Sequence, residues 1–314
     1  MKRRHFVESL VMSLVAAAAS KAAYPLFTNT PSQVAITIDD LDLNGGDTLK
    51  LTLDERNAAI LNALREHSGL KAAVFVCGMR VDNDKGKSHL RAWDKDGHII
   101  ANHSYSHLYY PDTVFEKYTQ DILRGEAVIK DFPDFQKLFR FPYLKEGATA
   151  AKRDRMRAFL KAHGYHMGYV TIDTSDWVVD DRLRKRLQKQ PDADLSSYRE
   201  FYLNHIWDRT VFYDSLARKV LGRSIKHTLL IHHNLLNALF LGDVLRMFDR
   251  QGWKLINAGE AYTDPIFSAA PDIAPAGESI VWALAKETKK FGSILRYPAE
   301  DGSYEAAKMD NLGL

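Results

Sequence analysis

The sequence predicts an α/β fold: a parallel sheet with crossover helices, closed into a (β/α) barrel of about seven strands. Two observations lead there. Short β-rich runs alternate with helical patterns through residue 256, the signature of parallel strands joined by crossovers. The strands number about seven and short hairpin signals are few, which favours closure over an open sheet.

Residues 34–38, VAITI, form a short β-rich run that reads as a buried strand. The stretch LTLDERNAAILNALREH, from Leu51, carries apolar residues at helical spacing. KAAVFVC, ending at Cys77, is the second strand, and HII, from His98, is the third. Residues 113–132 are a helix. KLFRF, residues 137–141, is a strand stopped by Pro142. AAKRDRMRAFLKAHG is a helix ended by Gly164. HMGYVTI, residues 166–172, is a strand, and residues 180–225 read as a charged helical insertion. The basic run RLRKRLQKQ within it is a solvated helix face rather than a binding patch. HTLLIHH, residues 227–233, is the next strand, followed by ALFLGDVLRMFDRQG as helix and WKLIN as strand. The pattern loosens after Asp264, so residues 263–314 are assigned to a C-terminal extension.

The 314 residues carry 43 basic and 40 acidic side chains, a net charge of +3. That balance is no nucleic-acid signature. Part of the positive charge sits in MKRRHFVESLVMSLVAAAASKAAYP, a basic head, a mild apolar run and small residues. It reads as an export signal over residues 1–23, too short to span a membrane. RRHFV, with Arg3 and Arg4, resembles a twin-arginine signal, and the expected location is the periplasm or cell envelope. No transmembrane anchor and no protein partner is expected. The single cysteine, Cys77, makes no internal disulfide and reads as a buried small hydrophobe.

Function is written at the ends of the strands. ITIDD ends with Asp39 and Asp40; HIIANHSYSH continues its strand into His103 and His107. FRFPY carries Arg140 and Tyr143, VTIDTSDW carries Asp173, Asp176 and Trp177, and LLIHH ends with His232 and His233. In parallel sheets and barrels alike, the C-terminal edge of the strands is where sites are built. Singly, each motif has a bland explanation: a helix cap, a structural histidine pair, a turn. Five in order at strand ends do not.

These five motifs, TIDD, HSYSH, RFPY, DTSDW and LLIHH, resemble those of the polysaccharide deacetylases, the NodB-homology domain of carbohydrate esterase family 4. The resemblance covers roughly residues 33–262 and sets the expected catalytic domain at 31–262. It implies a distorted (β/α) barrel. It implies Asp39 as catalytic base, and Asp40, His103 and His107 as ligands of a divalent metal. Arg140 would hold the base, and the Tyr143 backbone N–H would bind the oxyanion. Asp173 would tune and orient the machinery, Trp177 would wall the groove, His232 would be the general acid and Leu230 would line the acetyl pocket. The chain departs from many relatives at Leu41 and Asp42, where they have Gly after the paired Asp, and at His233. Side chains alternate faces along a strand, so only one of His232 and His233 is expected to face the barrel mouth, and the family position favours His232.

One carboxylate and two imidazoles suit zinc with open coordination positions, and also iron, cobalt or manganese. Zinc brings the pKa of its water to about 7, an uncoordinated Asp39 can take the proton, and His232 can protonate the leaving group. The expected reaction is N-deacetylation of an acetylated amino-sugar glycan such as peptidoglycan or a chitin-like oligosaccharide. The alternatives are a cyclic-imide or ureide hydrolase, an O-acetyl esterase, or a non-catalytic glycan-binding protein. The intact Asp39 speaks against the first, and the complete set of metal and base residues against the last.

Overall fold

In a computed structural model, which describes residues 31–42, 46–48 and 50–314, the parallel sheet is present and curls into a half-barrel with helices around it. The export signal expected at residues 1–23 lies outside the described residues. The strands and helices run β1 (Gln33–Asp39), α1 (Leu53–Glu66), β2 (Ala73–Val76), α2 (Gly78–Val81), α3 (Asp84–Lys95), β3 (Ile99–Asn102), α4 (Phe115–Ile129), β4 (Phe135–Phe139), β5 (Lys145–Gly147), α5 (Ala150–Ala162) and β6 (His166–Met167). They continue with α6 (Asp176–Lys189), α7 (Ser196–Leu221), β7 (Lys226–His232), α8 (Leu235–Arg250), β8 (Lys254–Leu255), α9 (Ala258–Ala261), β9 (Ala276–Gly277), α10 (Ile280–Glu287) and α11 (Ser303–Leu312).

The sheet order is β6-β4-β3-β2-β1-β7, with β8 joined to the start of β1, and every pairing is parallel. Strands buried on both faces explain the unbroken apolar runs: Val34, Ala35, Ile36 and Ile38 of β1 are fully buried. The flanking helices carry the local signals that start them. Thr52 and Glu55 form a reciprocal capping box at α1, and Asn234 caps α8 through the backbone N–H of Asn237.

The strand expected over residues 166–172 is real only at its two ends. His166 and Met167 pair with β4, whereas Ile172 bridges to Leu229 of β7. Between them Gly168 N–H donates to the Phe139 carbonyl at 2.7 Å. One segment thus reaches β4 with its start and β7 with its end, linking the two edges of the sheet. The helix expected at 113–132 is shorter, Phe115–Ile129, and the strand expected at 137–141 is shifted to Phe135–Phe139. The helical insertion begins at Asp176 rather than 180, so Asp176 and Trp177 sit in the first turn of α6. The C-terminal extension is not loose: it carries α10, α11 and β9, which pairs antiparallel with β5.

Register positions the site. Asp39 lies level with Phe75 on one side and with His232 on the other. Asn102 lies level with Val76 and Phe139. The C-terminal ends of β1, β2, β3, β4 and β7 therefore rise together, and the polar residues that follow them share one rim.

Candidate active site

A cavity of roughly 270 Å³ opens on that rim, lined by Asp39, Asp40, His103, His107, Tyr143, Leu144, Asp173, Thr174, Trp177, Leu230, His232, Ala299 and Glu300. Nine of the ten residues given site roles by the resemblance line it. The tenth, Arg140, lies just behind.

Asp39 ends β1 and is 2% exposed. Its Oδ1 accepts a 2.5 Å hydrogen bond from Arg140 Nη1. Arg140 is itself fixed on every side: Nε donates to the Gly168 carbonyl at 2.8 Å, Nη2 to the Tyr262 hydroxyl at 3.1 Å, and the guanidinium lies 3.8 Å from the centre of the Phe75 ring. A guanidinium so held fixes the position of the carboxylate it binds.

Asp40, His103 and His107 converge beside it. Asp40 Oδ1 is 3.5 Å from His107 Nε2 and 3.7 Å from His103 Nε2. His103 Nδ1 sits 2.8 Å from the Arg140 carbonyl. A carbonyl only accepts, so Nδ1 carries a proton, and in the neutral ring Nε2 then presents a lone pair. That lone pair faces a carboxylate oxygen with no proton between them, an arrangement that suits a cation. Burial pushes His107 down to about 4 against the pull of Asp40, so it is neutral at pH 7. Imidazole nitrogens so placed, that of His103 oriented by the bond from its opposite nitrogen, fit a divalent metal.

The loop bearing the histidines is built for this. Asn102 Oδ1 accepts from Ser104 N–H at 2.8 Å, and Asp121 Oδ2 accepts from the N–H groups of Tyr105 and Ser106. Gly125 of α4 lets the helix come close; a Cβ there would lie 2.7 Å from the Ser104 carbonyl carbon. Asp40, Ser104 and His107 all adopt positive φ, at 65°, 66° and 55°. Such backbone is costly for non-glycine residues and persists where surrounding structure enforces it.

Cys77 is a residue the sequence reading missed. Its thiol donates to Asp40 Oδ1 at 3.4 Å. One donor atom from each of Cys77, Asp40, His103 and His107 lies within 4.8 Å of the other three. Cys77 is fully buried as expected, and burial raises its thiol pKa well above the ordinary value; the contact with Asp40 is what the sequence did not signal.

His232 and His233 separate cleanly. His232 faces the cavity, and its Nδ1 lies 2.7 Å from Asp176 Oδ1. Burial alone would lower its pKa, but the Asp176 carboxylate outweighs this and pushes it up to about 10. Asp176 is fully buried; its Oδ2 also accepts from the His232 backbone N–H and from the amides of Asn234 and Asn237. His233 points away into the core. It is fully buried, packs edge-on to Trp93, and burial takes its pKa down to about 4. Its Nδ1 accepts weakly from Asp42 N–H, at 3.4 Å.

Asp42, one of the departures after the aspartate pair, is buried at a φ of 59° and bonded to His89 at 2.6 Å. It anchors the loop from behind instead of entering the cavity. Asp173 lines the cavity and makes no hydrogen bond or ion pair among the described residues. The carboxylate that orients His232 is therefore Asp176. The sequence named it as the second Asp of DTSDW, but with the helix expected from residue 180 nothing set it apart from Asp173.

Tyr143, in a 3-10 turn, has φ 60° and packs its ring on His107 at 4.5 Å between centroids. Leu230 belongs to a small apolar cluster with Leu144, Val170 and Ala299, and Trp177 is half-buried at the cavity edge.

Parts of the chain are similar to known proteins. Residues 28–168 match the family model described as polysaccharide deacetylase. That stretch contains Asp39, Asp40, His103, His107, Arg140 and Tyr143, and ends before the remaining site residues. A peptidoglycan-N-acetylglucosamine deacetylase of Bacillus cereus is 26% identical over 147 residues, 46% of each chain. A second Bacillus cereus protein of the same name is 31% identical over 114 residues, 36% of this chain and 47% of that one. The chain spans about half the length of the curated relatives it matches. Among solved structures, the chitin deacetylase of the fungal pathogen Colletotrichum lindemuthianum superposes with a TM-score of 0.50 at 18% identity, over 74% of this chain and 88% of that one. That likeness is one of fold.

Proposed function

We propose that this chain, which matches the polysaccharide deacetylase model over residues 28–168, is a deacetylase of that kind, a metal-dependent hydrolase removing acetyl groups from the nitrogen of an acetylated amino-sugar glycan. The observation that carries the reading is the convergence of three units on one cavity: the Asp40, His103 and His107 donors, the Asp39–Arg140 pair and the His232–Asp176 pair. The relatives' names supply the substrate class, an N-acetylated glycan of the peptidoglycan or chitin kind.

Asp40, His103 and His107 would hold the ion, zinc being the best match to one carboxylate and two imidazoles. A divalent ion there supplies Lewis-acid polarisation of the acetyl carbonyl and of a water. Asp39 takes the proton of the attacking water. Arg140 holds that carboxylate in place, with its other oxygen, Oδ2, 3.6 Å from His103 Nε2. His232, protonated at neutral pH and oriented by Asp176, gives its proton to the departing nitrogen, without which the amine is a poor leaving group. The Tyr143 backbone N–H is assigned to the oxyanion, the cluster around Leu230 to the acetyl methyl, and Trp177 to the sugar face. The catalytic unit is assigned to residues 31–262 with the helices after Asp176 as its insertion. Envelope location follows from the relatives' substrate class, and the twin-arginine route from the Arg3 and Arg4 head. Among the described residues no helix is long and apolar enough to cross a membrane.

The test is acetate release from N-acetylglucosamine oligomers, peptidoglycan and an O-acetylated polymer, with free amines counted in parallel. Acetate and amine appearing in equal amounts from the amino-sugar glycans support N-deacetylation. Acetate without amine, from the ester alone, would replace it with an esterase.

A further inference from the structure

The C-terminal extension reaches into the catalytic cavity. Ala299 and Glu300 line it, more than sixty residues beyond the last strand-end motif. The segment is held in place by contacts from four directions. Arg209 lies 3.7 Å from the centre of the Tyr297 ring, and the Tyr213 hydroxyl donates to the Tyr297 carbonyl at 2.9 Å. Lys145 Nζ donates to the Ala299 carbonyl at 3.3 Å, and Ala299 N–H donates to Glu278. Ala299 is buried with Leu144, Val170 and Leu230. Gly302 lets α11 approach α6, since a Cβ there would lie 2.5 Å from Val178 Cγ2. Within this anchored strap Tyr297 and Glu300 adopt positive φ, 59° and 68°. Backbone of that kind is maintained only where the surroundings enforce it, and here its result is a carboxylate on the cavity wall.

That carboxylate has company. Asp173 is 5% exposed and lines the same cavity. Among the described residues neither Asp173 nor Glu300 has a hydrogen bond or ion pair, and the nearby cations are engaged elsewhere. Lys145 is paired with Glu278 at 2.6 Å. Arg209 holds both oxygens of Glu305 at 2.9 Å. Asp39 has Arg140, and Asp176 has His232. Lys145 acts on both carboxyls, Arg209 on Asp173 and His232 on Glu300, but only at a distance and without an ion pair; two such carboxyl groups lining one cavity disfavour one another's ionised form, and a cation between them relieves this.

We propose that Asp173 and Glu300 form a cationic subsite that receives an ammonium group carried by the glycan, so that the preferred substrate is an amino-sugar chain already bearing free amines. This rests on the deacetylase reading for its substrate class. The extension then acts as a specificity wall that the domain supplies from outside its five motifs.

The experiment compares binding of a glucosamine tetramer, which is cationic, with that of an N-acetylglucosamine tetramer, which is neutral, to the metal-loaded full chain by calorimetry. Wild-type protein is expected to bind the cationic tetramer more tightly, with a preference that shrinks as salt rises. Glu300→Gln should reduce the preference about fivefold, the upper range for an exposed charge pair, and Glu300→Asp should restore part of it. Glu300 is exposed, so the variant is expected to fold, as its melting profile will show. No binding of the cationic tetramer, or equal losses for both tetramers in Glu300→Gln, would overturn the proposal. Acetate release is followed in the same samples. Its absence from every glycan, with the charge preference intact, would leave the subsite standing and sink the deacetylase reading; its presence without a charge preference would do the reverse.

Discussion

Replacing Asp176 by Asn removes the one carboxylate bonded to His232. The carboxylate is fully buried and 2.7 Å from Nδ1. Burial alone drives the imidazole pKa down, and Asp176 is the largest influence pushing it up to about 10. Without it the pKa should fall to the ordinary value of about 6.5 or below. At pH 8 the protonated fraction then drops from nearly all to about 3%, a loss of roughly thirtyfold from protonation alone. Lost orientation adds to this, up to the whole value of general-acid catalysis, about 10⁴-fold. The assay is the pH–rate profile of acetate release at saturating glycan. Metal content and far-UV dichroism serve as controls, because a neutral amide accepts more weakly than the carboxylate from Asn234, Asn237 and the His232 N–H, at a cost of about 1–3 kcal/mol. The wild type should hold its rate well above pH 8, and Asp176→Asn should show an alkaline limb moved at least two pH units to the acid side. An unmoved limb with turnover within threefold of wild type would refute the role of Asp176 and the assignment of His232 as the acid.

His232→Ala should retain metal and lose turnover by about 10²-fold or more. His233→Ala should leave turnover within a few-fold while costing roughly 2–4 kcal/mol of stability through the space left beside Trp93, read by urea unfolding; the opposite pattern would exchange the two histidines. Asp173 has a folded-state pKa of about 7, raised chiefly by burial, so its ionisation opposes folding. That penalty is absent below the unfolded value near 4, grows as pH rises and is complete above about 7. Asp173→Asn should therefore raise the melting temperature more at pH 8.5 than at pH 4.5, by the equivalent of a few kcal/mol at most; a gain independent of pH would contradict it.

The rim of the site was legible in the sequence because parallel strands in register bring their C-terminal ends to one level. Once Val34–Ile38 and its successors are taken as strands, Asp39, His103, Arg140 and His232 must meet. What was illegible depended on geometry off the strands. Asp173 and Asp176 are both acids after one strand, and only the start of α6 at Asp176 decides which lies under His232. Cys77 follows an apolar run and carries no mark of its approach to Asp40. Glu300 comes after the strand–helix rhythm has ended, and it reaches the cavity through tertiary anchors, Arg209, Tyr213 and Lys145, that no periodicity encodes. The break within residues 166–172 has a similar origin: both ends bond, but to different strands, and the pattern of apolar residues is the same either way.

The central claim is that Asp40, His103 and His107 hold a metal that Asp39 serves as base. Metal content and acetate release, measured on the same samples of wild type, Asp39→Asn and His103→Ala, before chelation, after chelation and after reloading with zinc, test it most directly. Wild type should lose release on chelation and regain it with zinc. Asp39→Asn should keep the metal and release acetate about 10²-fold more slowly or worse, and His103→Ala should lose both together. Undiminished release by the chelated wild type, or an Asp39→Asn protein that cannot hold the ion, would contradict it.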